Sequence, residues 1–242
     1  MPLQSDHLQV KFHPGYRGLS CNVSLDFGRP GFQADIAETL VARVRALPMW
    51  PELTTLRPYD GTVGPLTDAR FAAIVGDVKN AAWYLDDDAE RIEVRCFRQA
   101  RELHFTLRVT QDRYQRYGDA LLQVLETFMD GFGLARILPS SGISTYCNPD
   151  LPCDPIDDVP ASAGMRYDQI VDALDRRLIA AEPTSLRAQV AARLLAAALP
   201  PGVQQRRIGD VTLNLWTDAP GDLDAVVRAR NAHQRWMAEN LA

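Results

Sequence analysis

Four histidines, His7, His13, His104 and His233, are the imidazoles of this chain, so acid/base chemistry near neutral pH has few candidates. His104 follows Glu102 by two residues inside an alternating run. At that spacing both side chains leave the same face of a strand, where a carboxylate from Glu102 or Asp26 beside the imidazole makes a general base. Carboxylates gather at Asp86, Asp87 and Asp88, and again at Asp150, Asp154, Asp157 and Asp158. Neither group has the ligand alternation and central glycine of an EF-hand loop, and turn or cap chemistry accounts for them as well. Ser140-Ser141-Gly142 offers hydroxyls without a base that the sequence identifies. Cys147 and Cys153 flank a short loop and lack a histidine or second cysteine pair, which argues against zinc. Gly131-Phe132-Gly133 is only a fragment of a glycine-rich motif. The chain has no phosphate loop, dinucleotide fingerprint, nucleophile elbow or histidine pair at metal-ligand spacing. The expectation is no cofactor and no metal, and an enzyme only if its site is assembled from scattered residues such as His104, Glu102 and the aspartates of the 150s.

The elements that must position these residues follow from patterning. Segments 8–27 and 92–109 each alternate apolar and polar residues across a turn, and each is followed by an amphipathic stretch: Phe32 to Leu47 by helical spacing in the first case, Tyr114 to Met129 in the second. A third, partial copy closes the chain, with Val211, Leu213 and Leu215 in a strand and a helix over 222–240. Thr67 is a helix cap ahead of Phe71, Ile74, Val75 and Val78. Two helices are expected over 167–181 and 185–199, separated by Pro183.

These units predict an α+β fold: an antiparallel or mixed sheet with helices packed mainly on one face, built from repeated strand-strand-helix units. Residues 1–138 hold two hairpin-plus-helix units, 139–162 a long connection rich in proline and aspartate, and 163–242 two helices and a strand-helix unit packed on the same body. With 242 residues, 46% of them hydrophobic and 24% charged, the composition is that of an ordinary globular protein. No apolar run approaches the ~20 residues of a membrane span, and the N-terminal residues lack the apolar segment of a secretory signal. A cytoplasmic location is the expectation, with no membrane partner. Cys21 and Cys96 fall in strands as small buried thiols.

If the apolar strand positions face the helices, the alternate ones form an open face carrying Asn22, Ser24 and Asp26, then Glu93, Arg95, Phe97, Glu102, His104 and Arg108, then Thr212, Asn214 and Trp216. Aromatic and arginine side chains are the usual anchors of protein interfaces. A net charge of −5 argues against nucleic acid and suits a basic protein partner. The sequence therefore points to a non-enzymatic protein-binding module, of the inhibitor or immunity type, that neutralises a toxin-like protein. Its expected partner-binding residues are Asp86, Asp87, Asp88, Arg95, Phe97, Glu102, His104, Arg108 and Trp216. The alternatives are the scattered-site enzyme, or a small-molecule sensor with a pocket lined by Trp83, Tyr84 or Trp236.

Overall fold

Alternating apolar residues become one large sheet in the computed structural model, which describes residues 16–28, 34–77, 79–87, 89, 91–99, 101–130, 132, 135–147 and 169–241. Among the described residues the chain runs β1 (Tyr16–Asp26), α1 (Ala34–Arg45), β2 (Thr55–Pro58), β3 (Gly64–Pro65), α2 (Asp68–Gly76), β4 (Ala82–Asp86), β5 (Ile92–Arg98), β6 (Glu102–Thr110), α3 (Tyr114–Asp130), β7 (Arg136–Ile137), β8 (Gly142–Cys147), β9 (Gln169–Asp175), α4 (Arg176–Ala181), α5 (Leu186–Ala196), β10 (Gln204–Ile208), β11 (Val211–Leu215) and α6 (Leu223–Leu241). The eleven strands form an antiparallel sheet in the order β10-β11-β9-β8-β1-β6-β5-β4-β2-β3, with β7 also on β1. This is an α+β fold.

The 92–109 hairpin forms as β5 and β6, paired from Ile92↔Val109 to Arg98↔Leu103. Thr67 caps α2, its side chain accepting from the Arg70 amide at 3.3 Å. The 8–27 segment differs from its expected hairpin. Residues 8–12 lie outside the described residues, while Tyr16 to Gly18, expected in the turn, belong to β1. Both edges of β1 are occupied, by β6 on one side and by β7 and β8 on the other. It is a central strand.

Residues 169–175, expected in a helix, are strand β9, and all seven are buried. A strand covered on both faces reads as a continuous apolar run, which periodicity cannot distinguish from a buried helix. β10, with the sequence Gln-Gln-Arg-Arg-Ile, is mostly exposed at the sheet edge. It carries no alternation because nothing buries one of its faces.

Alternation along the strands assigns each helix a side. Phe105 of β6 stacks on Phe128 of α3 with centroids 4.1 Å apart, and Trp83 of β4 meets Phe71 of α2 edge-on at 5.1 Å. Phe105 pairs with Val23 and Cys96 with Trp83, so α2 and α3 share the apolar face. At the other end, Asp172 of β9 points to the opposite face, between Val171 and Ala173, and meets His233 of α6. Helix α6 thus covers the polar-patterned side over β9 and β11, and among the described residues no helix covers that side over β2, β4 and β5.

Cys21 and Cys96 are free, completely buried thiols on the apolar face. Burial pushes the Cys96 thiol up to about 12 and the Cys21 thiol well above its ordinary range. Neither is expected to react with a maleimide in the native protein at pH 8, although both should react in denaturant. Mass spectrometry of protein labelled under the two conditions checks this. The sign for stability follows: the unfolded thiols ionise above the reference value of 9.0, while the folded ones keep their protons. Their contribution is complete below pH 9 and declines as pH rises toward 12.

Candidate docking face

The antiparallel register lines up side chains of the open face in rows across the strands. One row runs Thr55, Asp86, Glu93, Arg108. The next runs Arg57, Tyr84, Arg95, Thr106, and the third runs Ala82, Phe97, His104. Tyr59 joins the third row through its amide, which donates to the Ala82 carbonyl at 2.9 Å.

Opposite charges interlock along these rows. Arg57 Nε lies 2.7 Å from Asp86 Oδ2. Glu93 pairs with Arg95 on its own strand and lies 3.6 Å from Arg108 on the next. The Arg95 guanidinium also lies over the Tyr84 ring, 5.4 Å from its centroid, and Tyr84 meets Phe97 edge-on at 5.6 Å. Packing and pairing hold these side chains in place.

In the third row, Tyr59 and Phe97 remain exposed at 66% and 37%. They flank a mostly apolar hollow of about 540 Å³ whose lining also includes Ala82, Arg98 and His104. At its floor, His104 Nδ1 is 3.0 Å from Ser24 Oγ and Nε2 is 3.1 Å from Glu102 Oε2. Glu102 Oε1 in turn accepts from Arg187 of α5 at 3.2 Å. The hydroxyl, imidazole and carboxylate are connected as a nucleophile, base and orienting acid would be. Ser24 is only 5% exposed, however, and its hydroxyl lies beneath the face. Both imidazole nitrogens therefore have partners, and the ring is fixed.

Arg95, Phe97, Glu102, His104 and Arg108 share this face as the alternation implies. Of the other described candidates, Asp86 stands in the first row but is buried there, and Asp87 and Trp216 add nothing to the exposed face. Asp86 and Asp87 are 5% and 4% exposed. Asp86 accepts from Arg57, and Asp87 accepts from the Arg91 and Ile92 amides at 2.6 and 3.1 Å and from Arg91 Nε at 3.0 Å. The expected acidic surface patch is thus a pair of buried, satisfied carboxylates closing the β4–β5 turn. Asp88 lies outside the described residues, as do the aspartates of the 150s. Trp216 is 7% exposed, with Nε1 donating to Asp172 Oδ2 at 2.8 Å and its ring against His233 and Trp236. Thr212 and Asn214 are buried with it, as are Asn22, Ser24 and Asp26 at the middle of the sheet. Helix α6 takes the face over β9 and β11, a contact invisible in strand alternation.

Sequence reading missed Arg57 and Tyr59, because the short strand it suggests over Leu53 to Leu56 ends before them, whereas β2 spans Thr55–Pro58. It placed Tyr84 with Trp83 and Trp236 around a pocket, whereas Trp83 and Trp236 are core side chains and Tyr84 lies on the open face. Among the described residues no group of three or more histidine, cysteine, aspartate or glutamate side chains is arranged to hold a metal. No described helix is long and apolar enough to cross a membrane.

Fold and face together define an α+β protein with an eleven-stranded antiparallel sheet, one side of which carries aromatic and paired charged residues left open among the described residues. No family model matches the chain, and no curated protein matches it in sequence. Among solved structures it is similar to the Pseudomonas aeruginosa T6SS protein PA0821, with a TM-score of 0.57 and 13% identity over 93% of this chain and 76% of that one. At that identity the likeness is one of fold.

Proposed function

We propose that this chain is a cytoplasmic, non-enzymatic protein-binding module of the inhibitor or immunity type. It neutralises a toxin-like protein by docking it on the face of β2, β4, β5 and β6. The observation that carries this reading is the hollow between Tyr59 and Phe97: two exposed aromatic rings around an apolar depression, beside rows of ion-paired side chains. Such preorganisation reduces the entropy lost on binding, and aromatic anchors in a pocket are the usual seat of interface energy. The net charge of −5 favours approach of a basic partner, although the contact surface itself is mixed in sign. The solved structure of similar fold is a T6SS protein, which is compatible with a secretion-system-related role.

The test is co-expression with the toxin-like product of a neighbouring gene, reading growth and co-purification. The parent chain is expected to restore growth and to form a stoichiometric complex. Phe97→Ala combined with Tyr59→Ala should weaken that complex by about 30-fold or more, the effect of losing a hot spot worth ~2 kcal/mol, with the melting temperature unchanged within a few degrees. Binding as tight as the parent's in the double variant would exclude this face. Failure of the parent chain to form any complex would exclude the inhibitor reading.

A further inference from the structure

Helix α6 carries Arg230, His233 and Gln234, spaced i, i+3 and i+4, so that they leave adjacent positions on its buried side. Their exposures are 8%, 0% and 1%. Buried polar groups are normally satisfied, and a buried charge is normally paired. Here Arg230 Nε has no hydrogen-bond partner, and among the described residues nothing gives the guanidinium an ion pair. Both polar atoms of the Gln234 side chain are likewise unmatched, as are both ring nitrogens of His233. His233 Nε2 sits 3.0 Å from Asp172 Oδ1 without making a hydrogen bond to it, and Asp172 Oδ2 accepts from the Trp216 indole, so among the described residues this carboxylate pairs with neither Arg230 nor Gln234.

From this geometry we infer that Arg230 and Gln234, with His233 beside them, form a binding site for a small oxyanion, a carboxylate or a phosphate. A guanidinium offers a planar fork that matches either group. The Gln234 amide adds a donor one helical turn away, and His233 Nδ1 adds a third buried polar atom. One bound oxyanion would satisfy the unpaired charge and the unmatched amide together, which no described side chain does. The site is separate from the open face and does not depend on the docking role.

Differential scanning fluorimetry with inorganic phosphate and with acetate, each against sodium chloride of equal ionic strength, tests the inference. At ten times its dissociation constant, the recognised anion should raise the melting temperature by about 3–5 °C. Arg230→Met should abolish that shift and, by removing an unpaired buried charge, melt no lower than the parent without anion. Gln234→Glu keeps the test decisive if Arg230→Met fails to fold. It places a carboxylate four residues after Arg230, and should raise the melting temperature while eliminating the anion response. A response to phosphate but not acetate, or the reverse, supports the site and identifies which oxyanion it takes. No response to either anion, or an equal response in parent and variants, would overturn it.

Discussion

Gly142→Ala is expected to lower the melting temperature by more than about 10 °C, through a loss of at least ~4 kcal/mol. Gly142 is the first residue of β8, paired with Asn22 of β1 on one side and Asp172 of β9 on the other. Its φ of +153° is one that L side chains rarely adopt, and an added Cβ would lie 2.0 Å from the Val171 carbonyl oxygen. That oxygen belongs to a strand whose seven residues are all buried. It cannot retreat without opening the junction that joins β9, β11 and β10 to the rest of the sheet. A domain stable by only ~5–15 kcal/mol has little margin for such a loss. Gly76→Ala is the control: an added Cβ at the end of α2 meets nothing within 4 Å, and a gain of up to ~1 kcal/mol is expected from the stiffer unfolded chain. Thermal melts of both variants by circular dichroism check the pair. A Gly142→Ala chain that melts within a degree or two of the parent would show that β8 and β9 do not approach this closely.

Legibility in the sequence tracked burial on one side. The β5–β6 hairpin reads directly because Ile92, Val94 and Cys96, and Leu103, Phe105, Leu107 and Val109, are buried while their neighbours are not. The same alternation marks Arg95, Phe97, Glu102, His104 and Arg108 as one face. Where a strand is buried on both sides, as β9 is, or on neither, as β10 nearly is, the period-2 signal vanishes and the reading fails. Asp86 and Asp87 misled for a different reason. A run of carboxylates looks like an acidic surface until its partners are known, and the arginines that neutralise it sit at positions 57 and 91, one of them on a strand the sequence barely shows. Trp216 shows a further gap. Its strand parity was read correctly, but parity does not say which part of a face a distant helix will cover.

His233→Leu is expected to cost about 2–3 kcal/mol, from lost ring packing and from leaving the buried Asp172 carboxylate without a polar neighbour at Oδ1. Asp172 and His233 are both 0% exposed, and their side chains approach to 3.0 Å between β9 and α6. Without the imidazole, the carboxylate would keep only the Trp216 indole, which donates to Oδ2 at 2.8 Å, and Oδ1 would face apolar leucine atoms. The remedy is to remove the charge as well. Asp172→Asn preserves an oxygen for the indole, so the double variant Asp172→Asn/His233→Leu should recover most of the loss. The coupling between the two sites should then exceed ~1.5 kcal/mol. Urea unfolding followed by tryptophan fluorescence suits the measurement, because Trp216 and Trp236 both pack against His233, and an unchanged slope would confirm that the midpoints compare stabilities. Additive losses in the double variant would mean that His233 contributes through ring packing alone, with Trp216 at 5.0 Å and Trp236 at 6.2 Å. A large positive coupling would instead identify the contact between carboxylate and imidazole as the tie that fixes α6 over β9 and sets how far the open face extends.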